Sequence, residues 1–126
     1  DSSQLKDEIT PETEDAFKKL ANATNNKPWV VLSSGMDKDS FYKCLELAYK
    51  NGASGYLAGR TIWLDAFNKY PNIELVEKGL KTDSVSYVKK LNDLTSKNAL
   101  SLQTYFDNGF KINNPEQFTK EFGGFE

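Results

Sequence analysis

The chain has 126 residues, of which 38% are hydrophobic and 13% aromatic. This is the size of one domain with enough apolar residues for a packed core, which excludes a wholly disordered protein. The net charge is -2, acids and bases are interspersed and no Lys/Arg-rich run occurs, so no nucleic-acid partner is predicted. No apolar run approaches the roughly 20 residues of a membrane span, so no membrane partner is predicted either.

The composition also limits the chemistry. The absence of histidine excludes, within this sequence, a histidine base, a histidine metal ligand and a Ser-His-Asp triad. No pair of acids has metal-ligand spacing with supporting residues, so neither a metal site nor a cofactor is predicted. The one cysteine, Cys44, cannot form an intramolecular disulfide. Such cysteine usage is typical of a reducing compartment and predicts a cytoplasmic protein.

The first predicted element is a helix that begins after a polar lead-in. Thr10 is suited to cap it, and Pro11 is suited to the first helical position, where a missing N–H has no consequence. The helix is predicted to end before Pro28. Its apolar residues fall at helical spacing and predict one buried face: Ala16, Phe17, Leu20 and Ala21.

A strand, a helix and a second strand follow. Trp29–Leu32 is an unbroken apolar run, which predicts a strand buried on both faces, as in a parallel sheet. Asp37 is predicted to cap a helix that ends near Asn51, and Gly55–Ala58 is a second short strand. This order matches a right-handed βαβ unit. The predicted inner stripe of the helix is Phe41, Cys44, Leu45 and Ala48.

The pattern stays helical after the second strand. One helix is predicted over Thr61–Phe67, and a short one from Ile73 is predicted to end near Gly79. A longer helix is predicted from Thr82. Its apolar face comprises Val88, Leu91, Leu94 and Tyr87. Beyond residue 98 the pattern weakens into an aromatic tail in which Phe118 and Phe122 fall on one helical face.

Small residues follow each predicted strand. Ser33, Ser34 and Gly35 follow the first, and Gly59 and Arg60 follow the second. Glycine lets backbone N–H groups approach a ligand, serine hydroxyls donate to oxyanions, and arginine offers a planar charged fork. Alone, each turn is also compatible with an ordinary strand-to-helix turn or a surface arginine. Together they resemble the phosphate site formed by the last two loops of a (β/α)8 barrel.

Two parallel strands buried on both faces need further strands and helices. The sequence therefore predicts a slice of a larger α/β domain. The chain also lacks an initiating methionine. A cleaved tag, a processed precursor and a chain that is part of a longer protein all stay open at this point.

The stretch Pro28–Trp63 resembles a bacterial family of class I aldolases that includes the tagatose-1,6-bisphosphate and sulfofructosephosphate aldolases. The residues that carry the resemblance are PWVVLSSG, the acid-capped helix and GASGYLAGRTIW. LSSG and GASGYLAGR are closer to the sulfofructosephosphate branch. The resemblance implies an α/β fold: the C-terminal portion of a (β/α)8 TIM barrel, with strands 7 and 8 and their helices. Residues 1–126 would form this C-terminal part of one aldolase domain, with 100–126 a tail of unknown role.

The resemblance also implies a mechanism. In this family a lysine on the sixth strand forms a Schiff base with the substrate ketone, and the sugar phosphate is cleaved to dihydroxyacetone phosphate and an aldehyde. No segment here matches that strand, and the role is not transferred to Lys6, so no catalytic residue is predicted in this chain. The turns after strands 7 and 8 hold the substrate phosphate. The positions that match them are Ser33, Ser34, Gly35, Gly59 and Arg60.

The implied partners are a sugar-phosphate substrate and the N-terminal remainder of the barrel. The sequence leaves open whether the aromatic tail covers the barrel or contacts a neighbouring subunit of a homo-oligomer. Two other interpretations also stay open. One is a non-catalytic sugar-phosphate-binding or regulatory module built on the same turns. The other is an unrelated flavodoxin-like α/β domain with more than two parallel strands.

Overall fold

The structure is a computed structural model that describes residues 10–106. Helices alternate with two short strands and then continue without further strands in this range. The elements in chain order are α1 (Pro11–Ala23), β1 (Val30–Leu32), α2 (Lys38–Lys50), β2 (Gly55–Leu57), α3 (Arg60–Phe67), α4 (Ile73–Gly79), a π-helical turn (Leu80–Ser84), α5 (Val85–Asn98) and a short 3-10 helix (Leu102–Tyr105).

The two strands form a parallel pair that α2 connects. Val31 lies opposite Tyr56, and the pairing extends to Leu32 and Leu57. Beyond the strands, the N–H of Ser33 donates to the carbonyl of Leu57 at 2.9 Å. The predicted β1–α2–β2 order is therefore confirmed. The sheet of the described residues has two strands, which does not support a flavodoxin-like domain with more strands.

The hydrophobic core lies where α2 and α5 pack on one face of this pair. Phe41 and Leu45 of α2 and Leu91 of α5 are fully buried. The ring of Phe41 meets that of Tyr56 edge-on at 6.1 Å. The predicted inner stripe of α2 is confirmed, and it includes Cys44 as a core side chain whose burial raises its pKa. On α5, Tyr87, Leu91 and Leu94 are buried as predicted, whereas Val88 is half-buried.

The prediction that the first strand is buried on both faces is wrong for the residues that the structure describes. Val31 is buried, but Leu32 is 63% exposed and Val30 is nearly half exposed. On the second strand Leu57 is also exposed. Successive side chains of a strand point to opposite faces, and here helices cover only one of them. The pair therefore presents an open apolar sheet face, which comprises Val30, Leu32 and Leu57.

The first helix begins as predicted but does not bury the predicted face. Thr10 caps α1 through a hydrogen bond from the N–H of Thr13, and Pro11 is its first residue. Phe17 is half-buried against Trp29, with ring centroids 6.4 Å apart. Ala16 and Leu20 of the predicted face are exposed. Helical spacing shows which residues share a face, but the neighbours determine whether that face is covered.

The α-helix predicted from Ile73 ends at Gly79, as predicted, but no separate helix starts at Thr82. Gly79 has helical backbone angles, and a π-helical turn carries the helix from α4 into α5. The physical reason for glycine is packing, because a Cβ at this position would lie 2.9 Å from the Cβ of Ala66 on α3. Here glycine allows the close approach of two helices, and the chain stays helical beyond it.

Some predictions lie outside the described residues. These include the role of Lys6 and the helical face of Phe118 and Phe122. The beginning of the aromatic tail is described and forms the short 3-10 helix. Among residues 10–106 no helix is long and apolar enough to cross a membrane.

Candidate anion-binding site

The two predicted turns lie side by side at the carboxyl edge of the strand pair. They share one open pocket of about 410 Å³. The structure thus places all five sequence-predicted positions around one space. The lining residues are Leu32, Ser33, Ser34, Gly35, Leu57, Ala58, Gly59, Arg60 and Trp63.

The first turn reverses the chain after β1. Its hydrogen bond runs from the N–H of Met36 to the carbonyl of Ser33 at 2.9 Å. Ser34 and Gly35 both adopt positive φ, at 50° and 78°. Ser33 is buried beneath the turn, whereas Ser34 is exposed. Of the two serines, Ser34 is therefore the one whose hydroxyl is open to a ligand.

The side chain of Arg60 crosses from the second turn to the first. A Cβ on Gly35 would lie 3.3 Å from Nη2 of Arg60 and 3.4 Å from its Cζ. The guanidinium therefore lies against the bare backbone of the first turn. Arg60 is the only arginine among the 16 basic residues of the sequence. Its planar fork offers two parallel N–H donors, a geometry that suits a phosphate oxygen pair.

The helix that follows the second turn has an open N-terminus. The N-cap residue of α3 is Gly59, which has no side chain that could accept a hydrogen bond from the first N–H groups of the helix. At the start of α2, by contrast, Oδ1 of Asp37 accepts a hydrogen bond from the N–H of Ser40 at 2.9 Å, which lowers the pKa of Asp37. The first N–H groups of a helix have no partner within it, and its dipole attracts anions. Of the two helix starts at this edge, α3 is the one left available for an anion.

Side-chain contacts fix the start of α3 against the first turn. Oγ1 of Thr61, a buried residue, donates to the carbonyl of Met36 at 2.7 Å. One turn along, Asp65 forms an ion pair with Lys38 at 3.0 Å. The first contact joins the two turns directly, and the second joins the helices that follow them. The position of Arg60 therefore depends on both strands.

The polar stretch around Lys38 predicts a solvated surface charge, and the structure shows otherwise. The side chain of Lys38 is only 24% exposed. Its Nζ lies 5.7 Å from the ring centroid of Tyr87, and the Tyr87 hydroxyl donates to the backbone carbonyl of Lys38 at 2.7 Å. Since Asp65 is well exposed, the ion pair itself contributes no more than about 1 kcal/mol. Its main effect is on geometry, because it connects α2, α3 and α5 beside the pocket.

Two comparisons with known proteins bear on this site. Residues 5–65 match the family model of the DeoC/LacD family aldolases. Over 90 residues the chain is 29% identical to tagatose 1,6-diphosphate aldolase 2 of Streptococcus agalactiae serotype III (strain NEM316).

The comparisons support the aldolase family. The alignment with the streptococcal enzyme covers 68% of this chain and 28% of that enzyme, so the chain spans less than a third of the length of this curated relative. The DeoC aldolase family implies a TIM-barrel-type α/β fold, and the parallel β1–α2–β2 unit is consistent with a part of one. These matches do not show the sulfofructosephosphate branch.

The matched residues 5–65 include both turns and the start of α3. Sequence reasoning missed two residues in this aldolase-like segment. Thr61 was not singled out, and Trp63 was predicted only as an apolar helix residue, although it lines the pocket. The available signal was spacing, since Trp63 follows Arg60 by three positions and shares its helix face. No group of three potential metal ligands occurs among residues 10–106.

Proposed function

We propose that this chain is the C-terminal part of a (β/α)8 class I aldolase and supplies its substrate-phosphate site. In this assignment β1 and β2 are the seventh and eighth strands of the barrel. The observation that carries the proposal is the position of Arg60, whose guanidinium lies against Gly35 at the carboxyl edge of the strands. Active sites of such barrels lie at this edge, and their last two loops recurrently bind phosphate.

The proposed ligand group is the phosphate of the dihydroxyacetone-phosphate half of the substrate. Arg60 supplies a full positive charge and a donor fork. The Ser34 hydroxyl and the backbone N–H groups at Ser34-Gly35 approach the anion from the first turn. The first N–H groups of α3, which follow Gly59, approach it from the second turn. Ser33 supports the first turn from beneath. Donors from the turns after both strands would thus surround the phosphate.

The proposed reaction is the retro-aldol cleavage of a ketohexose phosphate. A lysine from the rest of the barrel attacks the C2 ketone, and loss of water leaves a protonated imine. A base removes the proton of the C4 hydroxyl, the C3–C4 bond breaks, and its electron pair moves to the iminium to form an enamine. The aldehyde leaves, C3 is protonated, and hydrolysis releases dihydroxyacetone phosphate and restores the lysine amine.

The proposed substrates are tagatose 1,6-bisphosphate and 6-deoxy-6-sulfofructose 1-phosphate. Both release dihydroxyacetone phosphate, so the same two turns serve either one. The groups that distinguish phosphate from sulfonate at the other end of the sugar would lie outside this pocket. The proposal thus concerns the shared half of the two substrates.

The open sheet face supports the barrel assignment. Val30, Leu32 and Leu57 are apolar and exposed, although the opposite face of the same strands is packed. In a closed barrel the two faces of each strand are covered differently, one by helices and the other by side chains of the barrel interior. Here α2 and α5 cover the outer face, and the remaining strands would enclose the inner one.

A trapping experiment on the complete gene product tests the reaction. The protein is incubated with dihydroxyacetone phosphate and borohydride, and its mass is measured. We expect one reduced adduct on a lysine outside the residues described here, because the iminium is the species that borohydride reduces. Phosphate binding without any adduct would instead favour a non-catalytic sugar-phosphate-binding module.

Substitution of Arg60 tests the site. Charge-assisted hydrogen bonds contribute about 1.5–3 kcal/mol, so Arg60→Ala should weaken binding of inorganic phosphate by roughly 10- to 100-fold. Arg60→Lys keeps the charge but loses the fork and should restore only part of the affinity. Lys43→Ala, at an exposed lysine of α2, is the matched control. Equal affinity in all three variants would contradict the proposed site.

A further inference from the structure

Trp63 lies in the anion pocket but has no role in the proposed site so far. It is one helical turn after Arg60, so the two side chains project from the same face of α3. It lines the pocket together with both glycine turns. The residue is about two-fifths exposed. The ring is thus both at the pocket and open to a ligand.

Two neighbours lie against the indole of Trp63. A Cβ on Gly59 would lie 3.7 Å from Nε1 of Trp63, so the nitrogen edge of the ring lies over the bare backbone of the second turn. On the other side the ring meets Phe67 edge-on, with centroids 5.9 Å apart. Phe67 is stacked in turn on Tyr70 at 6.0 Å. The two contacts direct the nitrogen of the indole towards the turn that starts α3.

An indole nitrogen can only donate a hydrogen bond. Among residues 10–106 the indole N–H of Trp63 donates to no protein group. At the start of α3 the backbone N–H groups of Ile62 and Trp63 donate to the carbonyl of Gly59, at 2.8 and 3.3 Å, which leaves those of Arg60 and Thr61 as donors. An indole N–H beside such remaining helix N–H groups is an arrangement that an oxyanion can complete. The same relationship occurs twice in this pocket. Arg60 lies against Gly35 and Trp63 against Gly59. In each case a side chain that carries an N–H group lies against a glycine, which has no Cβ.

We propose that Nε1–H of Trp63 is a further phosphate donor of this site and helps to determine which anions it accepts. This inference rests on the proposed function. The neutral indole donor adds direction without adding charge, and its ring adds an apolar wall beside the phosphate. The pair Arg60 and Trp63 therefore favours a tetrahedral phosphate monoester of a small organic molecule, whose carbon chain can lie along the ring, over a carboxylate with two coplanar oxygens.

The test uses the complete gene product and inorganic phosphate as the probe. Trp63→Phe keeps an aromatic ring against Phe67 but removes the N–H. We expect it to weaken phosphate binding by roughly 10-fold, the lower end of the effect of a hydrogen bond to a charged group. Trp29→Phe is the matched control, because Trp29 contacts Phe17 away from the pocket. That variant should bind phosphate as tightly as the unsubstituted protein.

A spectroscopic readout separates donation from a merely structural effect. Trp29→Phe leaves Trp63 as the one tryptophan of these 126 residues, and the indole N–H of Trp63 is assigned through its own backbone N–H. Its indole N–H resonance in a 15N-labelled sample should move downfield as phosphate is added, and Arg60→Ala should abolish the shift at the same phosphate concentration. This measurement remains decisive if Trp63→Phe fails to fold.

The outcomes distinguish the two proposals. Phosphate binding that needs Arg60, with unchanged affinity in Trp63→Phe and an unmoved indole resonance, would overturn the role of Trp63 and leave the proposed function standing. Absence of phosphate binding in the unsubstituted protein would refute the phosphate site itself, and the role of Trp63 with it.

Discussion

The guanidinium of Arg60 lies against the backbone of Gly35, with Nη2 3.3 Å from the place that a Cβ on Gly35 would occupy. The two residues belong to turns after different strands. The contact exists because β1 and β2 are parallel neighbours, so that their carboxyl ends meet, and because glycine leaves room for the side chain. An anion bound at one turn would therefore contact groups that the other turn positions.

Gly35→Ala should reduce phosphate affinity as well as stability. The residue has φ of 78°, where an L-residue is strained by about 1–2 kcal/mol, and the new Cβ would press on the guanidinium. We expect phosphate binding to weaken by roughly 10-fold, which corresponds to about 1.4 kcal/mol. Titration calorimetry measures the affinity, and urea denaturation measures the free energy of unfolding.

Gly52→Ala is the matched control for this effect. Gly52 has φ of 85°, so alanine is strained there too, but within residues 10–106 its new Cβ would meet only Leu100, at 3.9 Å. The control should lose stability and keep its phosphate affinity. If both alanine variants bound phosphate like the unsubstituted protein, the contact between Arg60 and Gly35 would have no part in binding.

Thr61→Val should loosen the start of α3. The substitution keeps the shape of the side chain but removes the hydroxyl that donates to the carbonyl of Met36 at 2.7 Å. The buried hydrogen bond contributes about 1 kcal/mol, and the carbonyl would also lose its partner. We expect lower stability and weaker phosphate binding together. Thr82→Val removes an exposed hydroxyl that bonds within its own helix and should change neither quantity by more than about 0.5 kcal/mol.

If the open sheet face is covered in the complete protein, two leucine substitutions should rank in stability loss opposite to their exposure in this chain. Leu32 is 63% exposed in this chain and Leu75 of α4 is 45% exposed, so the contacts seen here would make Leu32→Ala the milder change. If the rest of a barrel covers the sheet face, Leu32→Ala in the complete gene product should cost about 2–5 kcal/mol, as for a core leucine. Leu75→Ala should cost less. Chemical denaturation measures the free energy of unfolding of both variants. A smaller loss of stability for Leu32→Ala would contradict the barrel.

Tyr87 predicts a loss of stability in alkali. Burial raises its pKa well above the ordinary value of 10.0, and the negative charges of Asp39 and Asp37 add to this shift. Below the ordinary value both states keep the proton. Above it the unfolded state releases the proton first, so stability falls as the pH rises towards the folded-state pKa. Burial also raises the pKa of Cys44, Tyr49 and Tyr56, so these groups share the effect in the same direction.

Tyr87→Phe should therefore flatten the alkaline decline without abolishing it. It also removes the hydrogen bond to Lys38, which should cost about 1 kcal/mol at neutral pH. The urea midpoint measured from roughly pH 8 to pH 11 tests both effects. Tyr70→Phe, at an exposed tyrosine, is the control. A decline in Tyr87→Phe as steep as in the unsubstituted protein would show that Tyr87 does not contribute to it.

Much of the local structure was predictable because it depends on residues close in sequence. Thr10 and Asp37 cap their helices through N–H groups three residues away, as their positions predict. The inner stripe of α2 follows from helical spacing, and the two strands from their apolar runs. Helix capping and side-chain periodicity need no knowledge of distant neighbours, so the sequence could indicate them.

The predictions that failed were those that depend on contacts with residues distant in sequence. A new helix start at Thr82 was predicted, yet the chain stays helical beyond Gly79, which packs against Ala66 on another helix. Lys38 stands in a polar stretch, yet it is paired with Asp65 and packed over Tyr87. An apolar strand predicts two covered faces, but the residues described here cover one. In each case the deciding atoms belong to an element that local sequence does not identify.

For the candidate site, the amino-acid sequence determined the five residues of the two turns and their order after two strands. Only the tertiary structure decided that Arg60 reaches Gly35, that α3 rather than α2 has the uncapped start, and that Trp63 joins the same pocket. The turns follow from the conformational freedom of glycine and from strand ends, which are local properties. The shared pocket follows from parallel strand pairing and helix packing, which bring distant residues together.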